Sequence, residues 1–407
     1  MIRFQLTLLF CATLFRPSVA VDWPRFRGPQ LDGISAESIH PEDWPDPGLA
    51  ESWRVSVGLG LSNVVVSAGA LYTIGNEENV DTVVCLDAAT GEAMWSHSYP
   101  CATDPNEFDG GPTSTPTVDT SVGAVYTLSR SGDLFCFDAS SGEVRWNANV
   151  SQLANVRIPA WGFAGSPLVV DDLLILNVGD AGAAVNKRTG EMVWASADKD
   201  AGYSSIVPIR LGDRDAVTFG SARSYVAIDP KNGTELWRHR WLTTFGCNAA
   251  DPIVLDDRLF ISSGYHRGSA LLKLGPAEPD VLWKSKEMQN QLSTSVLIDE
   301  CLYGVHGDVD AGASLRCIDT ADGAVHWTSE GIRFGALSAT QDHLIAMSVD
   351  GDLIIVSATP RAFEVLARQK VLDGRCWVSP VLAGGRLYCR DAGGELVCLQ
   401  TTHSIRK

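Results

Sequence analysis

The sequence predicts an all-β fold: an eight-bladed β-propeller of four-stranded blades, closed by an N-terminal strand. Three observations predict it. A turn motif returns at a spacing of about 45 residues. A tryptophan holds the same place in six copies, and the last copy is one strand short while a lone strand precedes the first.

The motif comes first because it fixes the period. Residues 84–95 read VCLDAATGEAMW, 135–146 FCFDASSGEVRW, 183–194 AAVNKRTGEMVW and 226–237 VAIDPKNGTELW. Residues 315–327, LRCIDTADGAVHW, add a fifth copy, and 271–283, LLKLGPAEPDVLW, a degenerate one with an extra residue. Trp95, Trp146, Trp194, Trp237, Trp283 and Trp327 therefore recur at intervals of 43 to 51 residues, the period of a WD40-like blade. Each part of the motif has a physical task. Asp87, Asp138, Asp229 and Asp319 end an apolar run and accept backbone N–H groups of the next turn. Gly91, Gly142, Gly190, Gly233 and Gly323 supply the positive φ that closes it. The tryptophan, on the following strand, offers a flat area to wedge between blades. A triad repeated this often is structural rather than catalytic. Cys85, Cys136, Cys317 and Cys398 share one repeat position with Ala184 and Ala227, which makes them small buried hydrophobes. Cys101, Cys247, Cys301, Cys376 and Cys389 are candidates for pairing, with a connectivity that sequence does not give.

Two further strand signals precede each motif, as in SPLVV and LLILNVG (166–179) or DPIVL and RLFISSG (251–264). The unit at 335–370 keeps its strands but has Ser357 for the aspartate and Val365 for the tryptophan. The eighth, 377–400, stops after three strands. ESWRVSVG (51–58) reads as the missing fourth, with Trp53 in the tryptophan position, and pairing it with 395–400 closes the ring and removes the open edges. Residues 22–49, rich in Pro and Gly, read as an arm over the body. The organisation expected is a leader (1–20), an N-terminal arm (21–50), the propeller (51–400) and a tail (401–407).

The leader has Arg3, an apolar run from Leu6 to Phe15, and Ser18-Val19-Ala20 before a cut expected after Ala20. The run is too short to span a bilayer, and Cys11 lies inside it after Phe10, so a lipid anchor is not expected. The mature chain is expected to be periplasmic or secreted, without a membrane span. Its formal charge is −17 before the leader, with Arg3 and Arg16, is removed. So acidic a protein is a poor ligand for nucleic acid or anionic lipid.

The form xDxxTGxxxW, repeated around a ring, resembles the pyrroloquinoline-quinone (PQQ)-like propeller repeat. Residues 58–95 read as a complete family blade, and WPRFRGPQLDGIS (23–35) is similar to the start of many exported bacterial proteins with these repeats. The resemblance implies either of two functions: quinoprotein alcohol dehydrogenases are enzymes on this propeller, and the outer-membrane assembly lipoprotein is a protein-binding scaffold. The dehydrogenases hold their quinone under two adjacent cysteines, with Ca²⁺ on Glu and Asn and an Asp as base. This sequence has no Cys-Cys pair, no C-x-x-C-H haem segment and little room for long blade insertions.

No catalytic residue, redox cofactor or metal site is therefore expected, and PQQ with Ca²⁺ stands as the alternative. HGDVDAG (306–312) carries one His and two carboxylates without the remaining ligands of a calcium loop, and reads as a polar loop. His266 and His306 occupy equivalent loops of neighbouring blades, with no third ligand. The expected function is a binding or scaffold module of the cell envelope. Its working face gathers the loops that enter each blade and the middle loops within blades. That places Arg130, Arg157, Arg223, Arg333 and Arg375 together with His266, Trp161, Phe245 and Trp377. The partner expected there is another envelope or secreted protein, or a small anionic or peptide ligand, with Trp161 and Trp377 as apolar contacts.

Overall fold

The computed structural model describes residues 21–46, 48–103, 110–309 and 312–401. The leader with its cleavage site, all of the tail after Thr401, and Asp310 of the histidine loop lie outside them.

Eight sheets of four antiparallel strands follow one another along the chain. Seven are built from consecutive strands. The eighth takes Val381–Ala383, Arg386–Arg390 and Glu395–Gln400 from the C-terminus and Glu51–Ser56 from the N-terminus. Trp53 lies opposite Cys398, as Trp95 lies opposite Cys85 and Trp146 opposite Cys136. The sheets form a closed eight-bladed β-propeller, with the N-terminal strand completing the last blade.

The repeated residues work across the seams between blades. Asp87 Oδ1 accepts the N–H groups of Ala89 and Thr90, and Asp138 Oδ1 those of Ser140 and Ser141. At Gly142, φ is 73°, and a Cβ there would come within 2.6 Å of the Trp95 ring. The tryptophan of one blade thus lies flat on the glycine turn of the next, where only a hydrogen leaves room. Its Nε1 donates into the same turn: Trp95 to Ala139 O (3.1 Å), Trp146 to Lys187 O (3.0 Å), Trp194 to Pro230 O (3.0 Å) and Trp53 to Ala88 O (3.2 Å). The turn after Trp237 is the degenerate one, and the buried Trp237 Nε1 finds no acceptor. The residue opposite each tryptophan is buried beneath it, a Cys or Ala everywhere but at Trp283, which faces Leu271. All nine described cysteines are buried thiols, so Cys101, Cys247, Cys301, Cys376 and Cys389 form no disulfide.

Blade 7 departs from the expected alignment. A bulge between Ile355 and Val356 shifts the register, so Ala367, not Val365, stands in the tryptophan position opposite Ile355. The gap is covered by the arm: Ile39 and Leu49 are buried there, and Trp44 packs with Ala367 against the same cluster. Gln369 fastens the arm by accepting from Leu49 N and donating to Leu49 O.

The rest of the arm runs inside the ring rather than over it. Trp23 pairs with Val66 in blade 1, Pro24 O accepts from Val118 N in blade 2, and Leu31 packs against the cluster shared by blades 3 and 4. Ser35 and Gly33 pair with Ala339 in blade 7, and Glu37 accepts from Gly384 N and Gly385 N in blade 8. The innermost strands face the axis with unpaired backbone groups, and in blades 1, 2 and 7 the arm's main chain pairs with them. Arg27, fully buried at its tip, donates to the carbonyls of Leu31, Asp32, Thr294 and Ser295. The arm plugs the channel.

Candidate functional site

Antiparallel order fixes which loops meet. The loop entering each blade's innermost strand and the loop joining its second and third strands lie at one end of the ring, and there they form a funnel of about 250 Å³ above the plug.

One repeat position builds its floor. Two residues before the innermost-strand residue that lies in one cross-strand row with the tryptophan position stand Asn63, Thr115, Ser166, Ser205, Asp251, Thr294, Ala336 and Ser379. From blade to blade they are chained. Asn63 N–H donates to Thr115 Oγ1 (3.0 Å), Thr115 N–H to Ser166 Oγ (3.1 Å), and Ser166 N–H to Ser205 Oγ (3.1 Å). Ser205 N–H donates to Asp251 Oδ1 (2.7 Å) and Asp251 N–H to Thr294 Oγ1 (2.9 Å). Asn63 Nδ2 extends the girdle to blade 8 through Ser379 O (3.0 Å). It stops at blade 7, where Ala336 has no side-chain oxygen.

Asp251 is the one acid in this girdle. It is only 6% exposed. Burial pushes its carboxyl up to about 6, against the opposing pull of Arg27, which acts across the floor without forming an ion pair with it, and of the Ser205 N–H. No other donor among the described residues reaches its second oxygen. Nearby, burial pushes the Cys247 thiol up to about 11 and Tyr265 up to about 12, and raises Tyr203 further. All three are protonated at neutral pH, so none is a ready nucleophile or base.

An arc of aromatic rings forms one wall. Trp161 meets Tyr203 at 5.6 Å and 68° and Phe245 at 6.0 Å and 86°; Phe245 meets Tyr265 at 5.7 Å and 80°. Phe245 sits at the lip, 70% exposed, with φ 64°. A large side chain held in the left-handed region and offered to water is a strained arrangement of the kind that clusters at ligand sites. Trp377, nearly buried, lines the opposite side, with the Arg375 guanidinium 4.7 Å from its ring centre.

Of the residues the sequence placed on this face, only Trp161 and Trp377 line the funnel, and Phe245 flanks it. The arginines stand further out. Arg157 pairs with Asp198 (3.3 Å) and Asp200 (3.7 Å), Arg333 with Asp350 (2.6 Å), and Arg130 Nη1 donates to Ala102 O. Arg223 is exposed and gives its carbonyl to Trp241 N–H. His266 is exposed at φ 58°, its carbonyl taken by Lys286 Nζ. His306 is half-buried and driven down to about 4 by burial and Arg316, hence neutral. Among the described residues the only three-ligand cluster is His40, Glu42 and Asp43, all exposed on the arm.

Sequence reasoning missed Phe26 and Arg27 on the plug, Tyr203 and Tyr265 on the wall, and Asp251. For Asp251 a signal existed: Thr115-Pro116, Ser166-Pro167 and Ser379-Pro380 align with Asp251-Pro252, an acid where the other copies carry a hydroxyl.

A closed ring of eight four-stranded blades, with a plugged channel and a funnel above the plug, defines an eight-bladed β-propeller of the PQQ-like repeat type. The chain belongs to the family described as outer membrane protein assembly factor BamB, whose match spans residues 79–329. Among solved structures it is similar to BamB from Moraxella catarrhalis, at 15% identity and a TM-score of 0.63, over 86% of this chain and 99% of that one. It is also similar to a europium-containing methanol dehydrogenase, at 12% identity and TM-score 0.64, over 93% and 89% of the two chains. Quinohemoprotein alcohol dehydrogenase from Comamonas testosteroni shares 14% identity at TM-score 0.64, over 95% and 81%. Identities this low establish the fold alone. No curated protein matches the chain. Among the described residues no helix is long and apolar enough to cross a membrane.

Proposed function

We propose that this chain is an exported binding module of the cell envelope, which takes a segment of another envelope or secreted protein into the funnel and turns nothing over. One observation carries the proposal: the strained, exposed Phe245 continues the perpendicular rings of Trp161, Tyr203 and Tyr265 at the mouth of a blind pocket. Aromatic anchors around a concave centre are the usual hot spots of protein recognition. The family is described as an assembly factor, which agrees with such a role.

The redox alternative asks for a donor set that the described residues lining the funnel do not offer. The quinone is a tricarboxylate, yet the one cation lining the pocket, Arg27, has its fork engaged by four carbonyls. Calcium takes about six to eight oxygens. Asn63 Oδ1 accepts from Val64 N, Gln291 Oε1 accepts from Val309 N, and among the described lining residues Asp251 alone has a carboxylate. The described residues do not fit quinone and calcium. In line with this, purified protein given both is expected to show no alcohol-dependent dye reduction.

The test of binding is capture from envelope extract by the mature protein, wild type beside Phe245→Ser with Trp161→Ala. Capture of a discrete partner that the double variant loses, at unchanged melting, is expected. Equal capture by both overturns the proposal.

A further inference from the structure

Resting on that binding role, we infer that the group recognised at the bottom of the funnel is an organic ammonium, seated between Asp251 and the aromatic arc.

The valences left open at the floor choose the sign. The arginines of this face either hold their own carboxylates or lie outside the funnel, and Arg27 is engaged by carbonyls. What faces the cavity with capacity to spare is an acceptor: the second oxygen of Asp251, whose first oxygen is fixed by Ser205 N–H at 2.7 Å. A carboxylate desolvated this far gains from a cation that comes without a tight water shell. The walls select the kind of cation. Three successive ring pairs at 68°, 86° and 80° make the corners of a box, and ring faces attract a positive charge placed within about 6 Å of their centres. A bare metal ion needs several oxygens and finds one carboxylate, whereas an alkylammonium needs one anion and apolar surface for its carbons. The formal charge of −17 draws cations toward the molecule. The same chemistry is offered by a free amine and by a lysine side chain of a bound protein.

The probes are n-butylammonium, its neutral isostere n-butanol, and N-acetyl-lysinamide, titrated into the mature protein and followed by tryptophan fluorescence and calorimetry. Both ammonium compounds are expected to bind at least about tenfold more tightly than butanol. Binding of butylammonium alone assigns the site to free amines, and binding of the lysinamide as well assigns it to lysine side chains. Asp251→Asn keeps the Oδ1 acceptor for Ser205 and is expected to abolish the tenfold preference while leaving butanol binding unchanged. A pH titration of the wild type gives a second readout. Arg27, Tyr203, Tyr265 and Cys247 face Asp251 and keep their protonation state between pH 5 and 8, so ammonium affinity is expected to fall as pH drops through about 6. No preference over butanol, or a preference that survives in the asparagine variant, overturns the inference. If the asparagine variant still captures a protein partner and the Phe245/Trp161 variant does not, the binding role stands and the ammonium assignment fails alone.

Discussion

A glycine of one blade and a tryptophan of the one before it share a single contact at each regular seam, and the two costs of filling it can be separated. Gly142 has φ 73° and the Trp95 ring 2.6 Å from where a Cβ would sit; Gly212 has φ 64° and nothing within 4 Å. Gly212→Ala is expected to cost about 1–2 kcal/mol for the left-handed backbone alone. Gly142→Ala adds about 1–3 kcal/mol of overpacking, and urea denaturation of the two variants measures the difference. Equal losses contradict the wedge. Asp251 shows the opposite balance. Its folded carboxyl is raised from 3.8 to about 6, so its charge opposes folding at neutral pH and this cost disappears as pH falls. Asp251→Asn is therefore expected to be more stable than wild type at pH 7, by at most about 3 kcal/mol. The gap is expected to close as pH falls from about 6 toward 4. A less stable variant at pH 7 contradicts the account. An acid kept at such a cost, lining a cleft, makes a candidate for the functional site. It was legible only as a departure: the repeat displays what blades share, and a site residue is where one copy differs.

Between blades, the elements are joined by devices that sequence reveals unevenly. The tryptophan, glycine and aspartate of the motif were legible because one solution recurs at five seams. The girdle of Thr115, Ser166, Ser205 and Thr294 was not, since a hydroxyl accepting a neighbouring backbone N–H looks like any strand-initial Ser or Thr. Thr115→Val removes the acceptor for Asn63 N–H, and a loss of about 1–3 kcal/mol is expected for the orphaned buried donor, with an unchanged denaturant m-value. Blade 7 shows how register misleads. Counting residues from Ser357 points to Val365, whereas the bulge moves the position to Ala367, and the missing indole is replaced by Trp44 from far upstream. The plug was illegible for a plainer reason: much of its hold on the channel is through main-chain bonds, which any sequence offers.

At the scale of the whole ring, closure depends on one seam that joins the two ends of the chain. Trp53 opposite Cys398 supplies the strand pairing, and Arg390 supplies a clamp. Fully buried in blade 8, Arg390 donates to Ser62 O, Thr73 Oγ1 (2.7 Å), Ile74 O (2.9 Å) and Gly58 O (2.9 Å) in blade 1. Burial lowers its pKa to about 10, still charged at neutral pH. Arg390→Met is expected to destabilise by about 3–5 kcal/mol, since four acceptors lose their donor. Removal of residues 21–58 takes away strand and plug together and is expected to cause aggregation through the opened edge at Glu395–Gln400, visible by light scattering. The funnel lies above the plug at one end of the ring, and the central claim is that binding occurs there. Hydrogen exchange of the mature protein with and without its captured partner tests this most directly. The account predicts protection confined to the loops at 155–167, 241–252, 264–267 and 371–380. Protection of the opposite-face turns at 87–92, 138–143 and 229–234, with the funnel loops exchanging as before, would contradict it.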